Sequence, residues 1–204
     1  MSLDRFNRLA KDWDSKPERV AGAMTFVDKI SEDLPLDIKH FDILDYGCGS
    51  GLVSFGFAHK VHSVLGLDNS LGMVEVYNDK ASKIGLDNII AKVHDINKDH
   101  LIENMFDLVV TNMTMHHIKD TKMFIEKLAN SLKSSGKLFI ADLVSEDGKF
   151  HSDNEGVEHF GFSMDEIKSL FVNAGLHCVN IEVFHTIEKP HNCYDIFIAS
   201  GTKI

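Results

Sequence analysis

The sequence predicts a doubly wound α/β domain built on a mostly parallel seven-stranded sheet, and three observations carry that expectation. Short apolar runs alternate with helix-like segments between residues 41 and 143. Strands joined by crossover helices must run parallel, with helices covering both faces of the sheet. A glycine-rich turn, Asp45-Tyr46-Gly47-Cys48-Gly49-Ser50-Gly51, stands where the first run ends. Two last runs, 177–187 and 192–200, are separated by a short loop containing Pro190, which reads as a hairpin that ends the sheet with an antiparallel strand.

The elements follow in chain order. Residues 1–40 form a helical extension: Phe6, Leu9, Ala10 and Trp13 keep helical spacing. A second helix opens at Pro17, whose fixed φ suits a first turn, and carries Val20, Met24, Val27 and Ile30 on one face. Residues 41–46, 63–68, 88–94, 106–112 and 137–143 are the five strands of the parallel part. Helices are expected over 50–60, 70–84 and 120–133. The stretch 144–162 is irregular, and Ser163 with Glu166 three residues later makes a capping box for a helix that ends near Gly175. No repeat or Pro/Gly/Ser linker interrupts the chain, so residues 1–204 are read as one domain with a core over 41–204.

Composition removes several function classes. Lys and Arg number 21 against 31 Asp and Glu, a formal charge of −10. With no basic run, that argues against a protein that grips nucleic acid by neutralising phosphates. Cys48, Cys178 and Cys193 are odd in number and lack a C-x-x-C pair, which disfavours a disulfide framework and favours a reducing, cytoplasmic setting. No leader-like apolar segment and no membrane span is expected. Twelve histidines are unusual, because each is a possible ligand or base.

The chemistry concentrates at strand ends. Glycines in a strand-to-helix turn let backbone N–H groups approach a ligand. The spacing here is G-x-G-x-G, since position 52 is Leu, and Asp45 precedes the first glycine by two residues. A pyrophosphate would be poorly served by that carboxylate, whereas a ligand with an ammonium or sulfonium would be well served. Asp68 closes the second strand, 21 residues after Gly47, where a carboxylate accepts ribose hydroxyls or caps the next helix beside Asn69 and Ser70. Asp95-Ile96 follows the third strand and offers an acceptor and an apolar side to an adenine ring; an ordinary Asp turn is the plainer alternative.

Together these residues resemble the class I S-adenosylmethionine-dependent methyltransferases. Asp45-x-Gly47-x-Gly49-x-Gly51 looks like their first motif, Asp68 like the acidic residue of their second strand, and Asp95-Ile96 like their adenine-contacting pair. TNMTMHHI (111–118) is similar to their fourth-strand segment and SGKLFIADL (135–143) to the stretch entering strand five. Ser134-Ser135-Gly136 departs from the Pro-Gly-Gly that relatives often carry, which affects a turn. The resemblance spans about residues 40–200. It implies a Rossmann-like methyltransferase fold, S-adenosyl-L-methionine as cofactor with S-adenosyl-L-homocysteine as product, and a small-molecule acceptor like that of quinone-ring methyltransferases. The cofactor-binding set it implies is Trp13, Asp45, Gly47, Cys48, Gly49, Gly51, Asp68, Asn69, Met73, Asp95, Ile96 and Asn112. The first forty residues become a lid over the cofactor, and 144–162 a substrate-pocket insertion.

Methyl transfer from a sulfonium is an in-line displacement helped mainly by positioning and desolvation. A base matters only where the acceptor must lose a proton. His116 and His117 follow strand four, and His159 lies in a segment similar to a His-x-Gly-Phe element of relatives. His116 and His159 are the expected catalytic residues, with His117 and Asp142 as further candidates; each also has a plain reading as a locally bonded side chain. His151 with Asp153 and Glu155 imitates a metal site, but one His among flexible carboxylates reads as a solvated face, and no metal is expected. The remaining histidines, among them His94, His185 and His191, are read as surface or satisfied residues. Two other readings are a nicotinamide-dependent oxidoreductase, for which Leu52 falls where a third glycine belongs, and a protein methyltransferase.

Overall fold

A computed structural model describes residues 3–190 and 192–204 of the chain, and His191 lies outside them. Seven strands form one sheet: β1 Asp42–Tyr46, β2 Ser63–Asp68, β3 Ile89–Val93, β4 Phe106–Asn112, β5 Leu132–Leu143, β6 Leu176–Lys189 and β7 Asn192–Lys203. They lie in the order β3-β2-β1-β4-β5-β7-β6. β1 to β5 pair in parallel, while β7 runs antiparallel to both β5 and β6. The doubly wound sheet and its closing hairpin are as expected.

Alternation along the strands builds two cores. In β4, Leu108 and Val110 point to one face and Val109 to the other, and none of the three is exposed. Helices α2 Pro17–Glu32, α3 Leu52–Phe57 and α4 Leu71–Lys83 cover the first face with Phe26, Ile30, Phe57 and Tyr77. Helices α5 Thr121–Ser131 and α6 Met164–Asn173 cover the second with Phe124, Ile125, Leu128 and Phe171. Each such side chain, once fully buried, contributes about 1.5–3 kcal/mol. Caps define the helix starts: Ser70, Asp120 and Ser163 accept from the backbone N–H groups of Met73, Met123 and Glu166.

Three expectations are corrected. The first helix, α1 Leu3–Leu9, does not continue to Trp13; Ala10–Ser15 tighten into a 3₁₀ turn. Asp14 in that turn bonds Ser50 and pairs with Lys80 at 2.6 Å, contacts across the fold that outweigh helix continuation. The helix expected over 50–60 is short, only Leu52–Phe57. The turn expected at Ser134-Ser135-Gly136 lies instead within β5, as an irregularity between the Phe106–Leu132 and Leu108–Lys137 pairs, with Ser135 at φ 66°. A Cβ at Gly136 would come within 2.9 Å of the Lys133 carbonyl oxygen and 3.0 Å of that of Phe106, so this path excludes a side chain there.

Candidate active site

All the parallel strands point their C-terminal ends to one side, where open α/β sheets bind ligands. A cavity of about 700 Å³ lies there, within the range of small-molecule sites. Its wall runs from the loop after β1, past the ends of β2, β3 and β4, to the 144–162 segment and the end of β6.

The glycine-rich loop turns sharply: Gly47, Gly49 and Gly51 have φ of 73°, 52° and 92°. Thr114 gives a second reason for glycine at 47, because a Cβ there would meet its Oγ1 at 2.2 Å. A Cβ at Gly49 would stand 3.9 Å from Trp13 Nε1, an ordinary contact, so it is the φ of 52° that favours glycine there. Asp68 organises the loop: its carboxylate accepts from Gly49 N–H at 2.9 Å and from Ser70 N–H at 2.8 Å. Burial nevertheless pushes its pKa up. Asp45 lies beneath the loop, 2% exposed, and accepts from Ser54 Oγ–H at 2.6 Å. Burial pushes its pKa up to about 7, against the pull of the Ser54 hydrogen bond.

Asp45, Gly47, Cys48, Gly49, Asp68, Asn69, Met73, Asp95, Ile96 and Asn112 all line the cavity, as does Trp13 from above. Gly51 does not line it; its N–H donates to Cys48 O at 2.8 Å and it caps α3, so its part is to shape the turn. Asp95 is already engaged, accepting from Asn97 N–H at 3.0 Å and pairing with Lys98 at 2.8 Å. The Lys98 bond is the main influence holding its carboxyl below the ordinary range. Asn69 Oδ1 is buried without a partner among the described residues, an acceptor free to meet a ligand.

Residues of the N-terminal segment, Arg5, Phe6, Leu9, Trp13 and Arg19 among them, line the cavity too. Asn7 Oδ1 accepts from Ser70 Oγ–H and Gly72 N–H, and Arg5 donates to Asp153 O in the 144–162 segment. The Arg19 guanidinium lies 3.6 Å above the Trp13 ring centroid. Phe6 meets the edge of His117, with ring centroids 5.3 Å apart.

Histidines dominate the opposite end. His116 and His117 occupy a short 3₁₀ turn, Met115–His117, after β4. His116 is 1% exposed, and its Nδ1 lies 2.7 Å from Asp142 Oδ1, while its backbone N–H donates to Asp142 Oδ2. Asp142 is fully buried at the end of β5 and does not line the cavity; expected as a candidate base, it is a partner that orients His116. Burial opposes its charge, yet His116 and two backbone N–H groups hold its carboxyl below the ordinary value. His117 Nδ1 donates to Gly156 O at 2.7 Å. Burial, then the neighbouring His116, lowers its pKa to about 3. His151 faces both, with its Nε2 3.2 Å from His116 Nε2, and burial first, then His116, lowers its pKa to about 4.

His159, expected as a catalytic residue, stands apart from the cavity. Its Nε2 donates to Ile118 O at 3.0 Å, its ring packs on Phe162, and it does not line the cavity. Its structural work is to fix the turn that carries His116, whose carbonyl accepts from His159 N–H. His151, expected on a solvated face, is brought in by the 144–162 segment. His94 and His185, read from the sequence as surface or satisfied residues, line the cavity as well, and so does Lys189, which no motif of the sequence singles out. No local spacing announces these four, because the contacts that place them span distant parts of the chain.

Among curated relatives, the chain is 37% identical over 149 residues to an uncharacterised methyltransferase of Schizosaccharomyces pombe, covering 66% of this chain and 52% of that protein. It is 28% identical over 158 residues to a ubiquinone biosynthesis O-methyltransferase of Pelagibacter ubique, covering 69% and 63%. The chain thus spans between about half and just under two thirds of the length of these relatives. Two solved structures share the fold. A SAM-dependent methyltransferase from Aquifex aeolicus aligns with a TM-score of 0.68 at 22% identity, over 100% of both chains. The YcgJ protein of Bacillus subtilis aligns with a TM-score of 0.73 at 15% identity, over 87% of this chain and 97% of that one. A family model described as a methyltransferase domain matches residues 38–201, and the chain belongs to that family, the class I S-adenosylmethionine-dependent methyltransferases.

Proposed function

We propose that the chain transfers a methyl group from S-adenosyl-L-methionine to a small-molecule acceptor. The observation that carries this reading is one continuous cavity with an acidic, glycine-looped end and a histidine end about it. The acidic end fits the cofactor's chemistry: the Asp68 oxygens retain free lone pairs for ribose hydroxyls, Asn69 Oδ1 is an unpaired acceptor, and Asp45 can balance positive charge. When bound, the cofactor supplies an electrophilic methyl on a cationic sulfur.

The residues of the chain do the positioning. The 47–51 loop and Asp68 hold the donor end, Phe6 and Trp13 lay apolar rings along the cavity, and the 144–162 segment confines the acceptor. Asp142 keeps the His116 proton on Nδ1, so Nε2 carries a lone pair that meets His151 Nε2 at 3.2 Å beside the cavity and is able to take an acceptor's proton. A cavity of about 700 Å³ suits a metabolite better than a protein side chain on its backbone. Leu52 at the third-glycine position disfavours a nicotinamide site. The three free cysteines are in keeping with a reducing, cytoplasmic setting, and among the described residues no helix is long and apolar enough to cross a membrane.

Incubation with methyl-labelled S-adenosylmethionine and a panel of phenols, carboxylates, amines and thiols tests the reading. Label should enter one acceptor class, and His116→Gln should lower turnover while leaving cofactor affinity nearly unchanged. Saturable NADH binding with no label transferred to any class would overturn it.

A further inference from the structure

We propose that His116, His117 and His151 form a three-histidine site for one divalent transition cation of the zinc class, open toward the cavity. The three rings come from two segments 35 residues apart, and one ligand atom from each lies within 4.8 Å of the others. Two of the three are oriented by bonds at Nδ1. His117 must donate that proton, since its partner is the Gly156 carbonyl, and His116 gives its own to Asp142. Both therefore present Nε2 as a lone pair. The His116 and His151 Nε2 atoms are 3.2 Å apart. Two nitrogens bound at about 2.0–2.1 Å in a tetrahedral arrangement stand about 3.3–3.4 Å apart, so this pair is already spaced for a shared cation, and the His117 atom, within 4.8 Å of both, closes in by a side-chain adjustment.

The donor set selects the metal. Three imidazoles suit zinc, cobalt, nickel, copper or ferrous iron, and not magnesium or calcium, which want oxygen. Asp142 behind His116 is the carboxylate that metal-ligating histidines usually carry, and the Gly156 carbonyl does the same for His117. Three protein ligands leave one position free, as in catalytic rather than structural zinc sites, and all three histidines line the cavity.

The use of that position rests on the methyltransferase reading. An acceptor hydroxyl bound there loses its proton to water; its oxygen then forms the new bond to the methyl carbon as the S–C bond breaks, the electron pair remaining on sulfur. The substrate class is accordingly a hydroxyl compound, phenolic or enolic, able to reach the cation with its oxygen facing the donor end. The His116 lone pair holds the cation in place of taking the proton.

The full chain, freed of metal by a chelator, is titrated with Co²⁺ and with Zn²⁺, and S-adenosylmethionine binding is measured alongside. One equivalent of Co²⁺ should bind and give the strong visible bands of low-coordinate cobalt. Zn²⁺ should displace it. His151→Ala and His117→Ala should abolish those bands and weaken binding about a hundredfold or more, and Asp142→Asn should weaken it about 10–100-fold. Cofactor binding should persist in His151→Ala, which shows that the variant is folded. No stoichiometric uptake by the wild type, or equal affinity in folded His151→Ala, would overturn the site and leave a histidine hydrogen-bonded pair. Cation binding with no cofactor binding would instead overturn the methyltransferase reading and leave the site standing.

Discussion

The two ends of the cavity are built in different ways. The acidic end is assembled from residues that follow their own strands by a few positions: Asp45 to Gly51 after β1, Asp68 and Asn69 after β2, Asp95 and Ile96 after β3. Its key bonds, Gly49 to Asp68 and Ser70 to Asp68, stay within the first two strand–helix units. The histidine end is assembled across the sheet. His116 is held by Asp142 from the neighbouring strand, 26 residues on, and meets His151 from an irregular segment. Binding a common donor can be written as a local motif, whereas recognising a particular acceptor depends on long-range packing that varies with the loops.

Predictions sharpen this contrast. The largest effect is expected at the histidine end: His116→Ala should lower turnover about 10²–10⁴-fold, the span of acid–base or metal assistance, while cofactor affinity changes less than about threefold. Equal losses in both would mean that the ends do not work separately. Next comes Asp68→Ala, which removes charge-assisted bonds to the loop and to the ligand. Cofactor affinity should fall about 10–100-fold by calorimetry, and an unchanged affinity would place the nucleotide elsewhere.

Backbone geometry of the loop is a separate way to break the acidic end. Gly47→Ala puts a Cβ onto Thr114 at a φ of 73°. It should cost about 2 kcal/mol, or about 5 °C in Tm, and Thr114→Ala should relieve part of the loss. The smallest effect is one of pH. Asp45, with its pKa near 7, is largely neutral below that value and ionised above it. Attraction for an ammonium-bearing ligand should therefore strengthen between about pH 6 and pH 8, and Asp45→Asn should flatten the dependence.

The same contrast explains what the sequence discloses. Strand positions, the Gly-rich loop and Asp68 are legible because period-2 burial and turn chemistry are local properties. His116 is legible as a strand-end residue, but its partner Asp142 reads as an equal candidate base until the sheet places one behind the other. His159 sits in a suggestive segment, yet a hydrogen bond to Ile118 O turns its ring away from the cavity. His151 is the reverse: its neighbours Asp153 and Glu155 suggest a solvated face, and only the path of residues 144–162 brings its ring to His116. The bend at Ala10–Ser15 is equally hidden, since Asp14 finds Ser50 and Lys80 far along the chain.

The central claim is that the acidic end holds S-adenosylmethionine over the histidine end. Isothermal titration of S-adenosylmethionine and of NADH into the full chain tests it most directly. One equivalent of S-adenosylmethionine should bind saturably, with affinity reduced by Asp68→Ala and retained by His151→Ala, and NADH should give no saturable heat. Saturable NADH binding with no heat from S-adenosylmethionine would contradict the account.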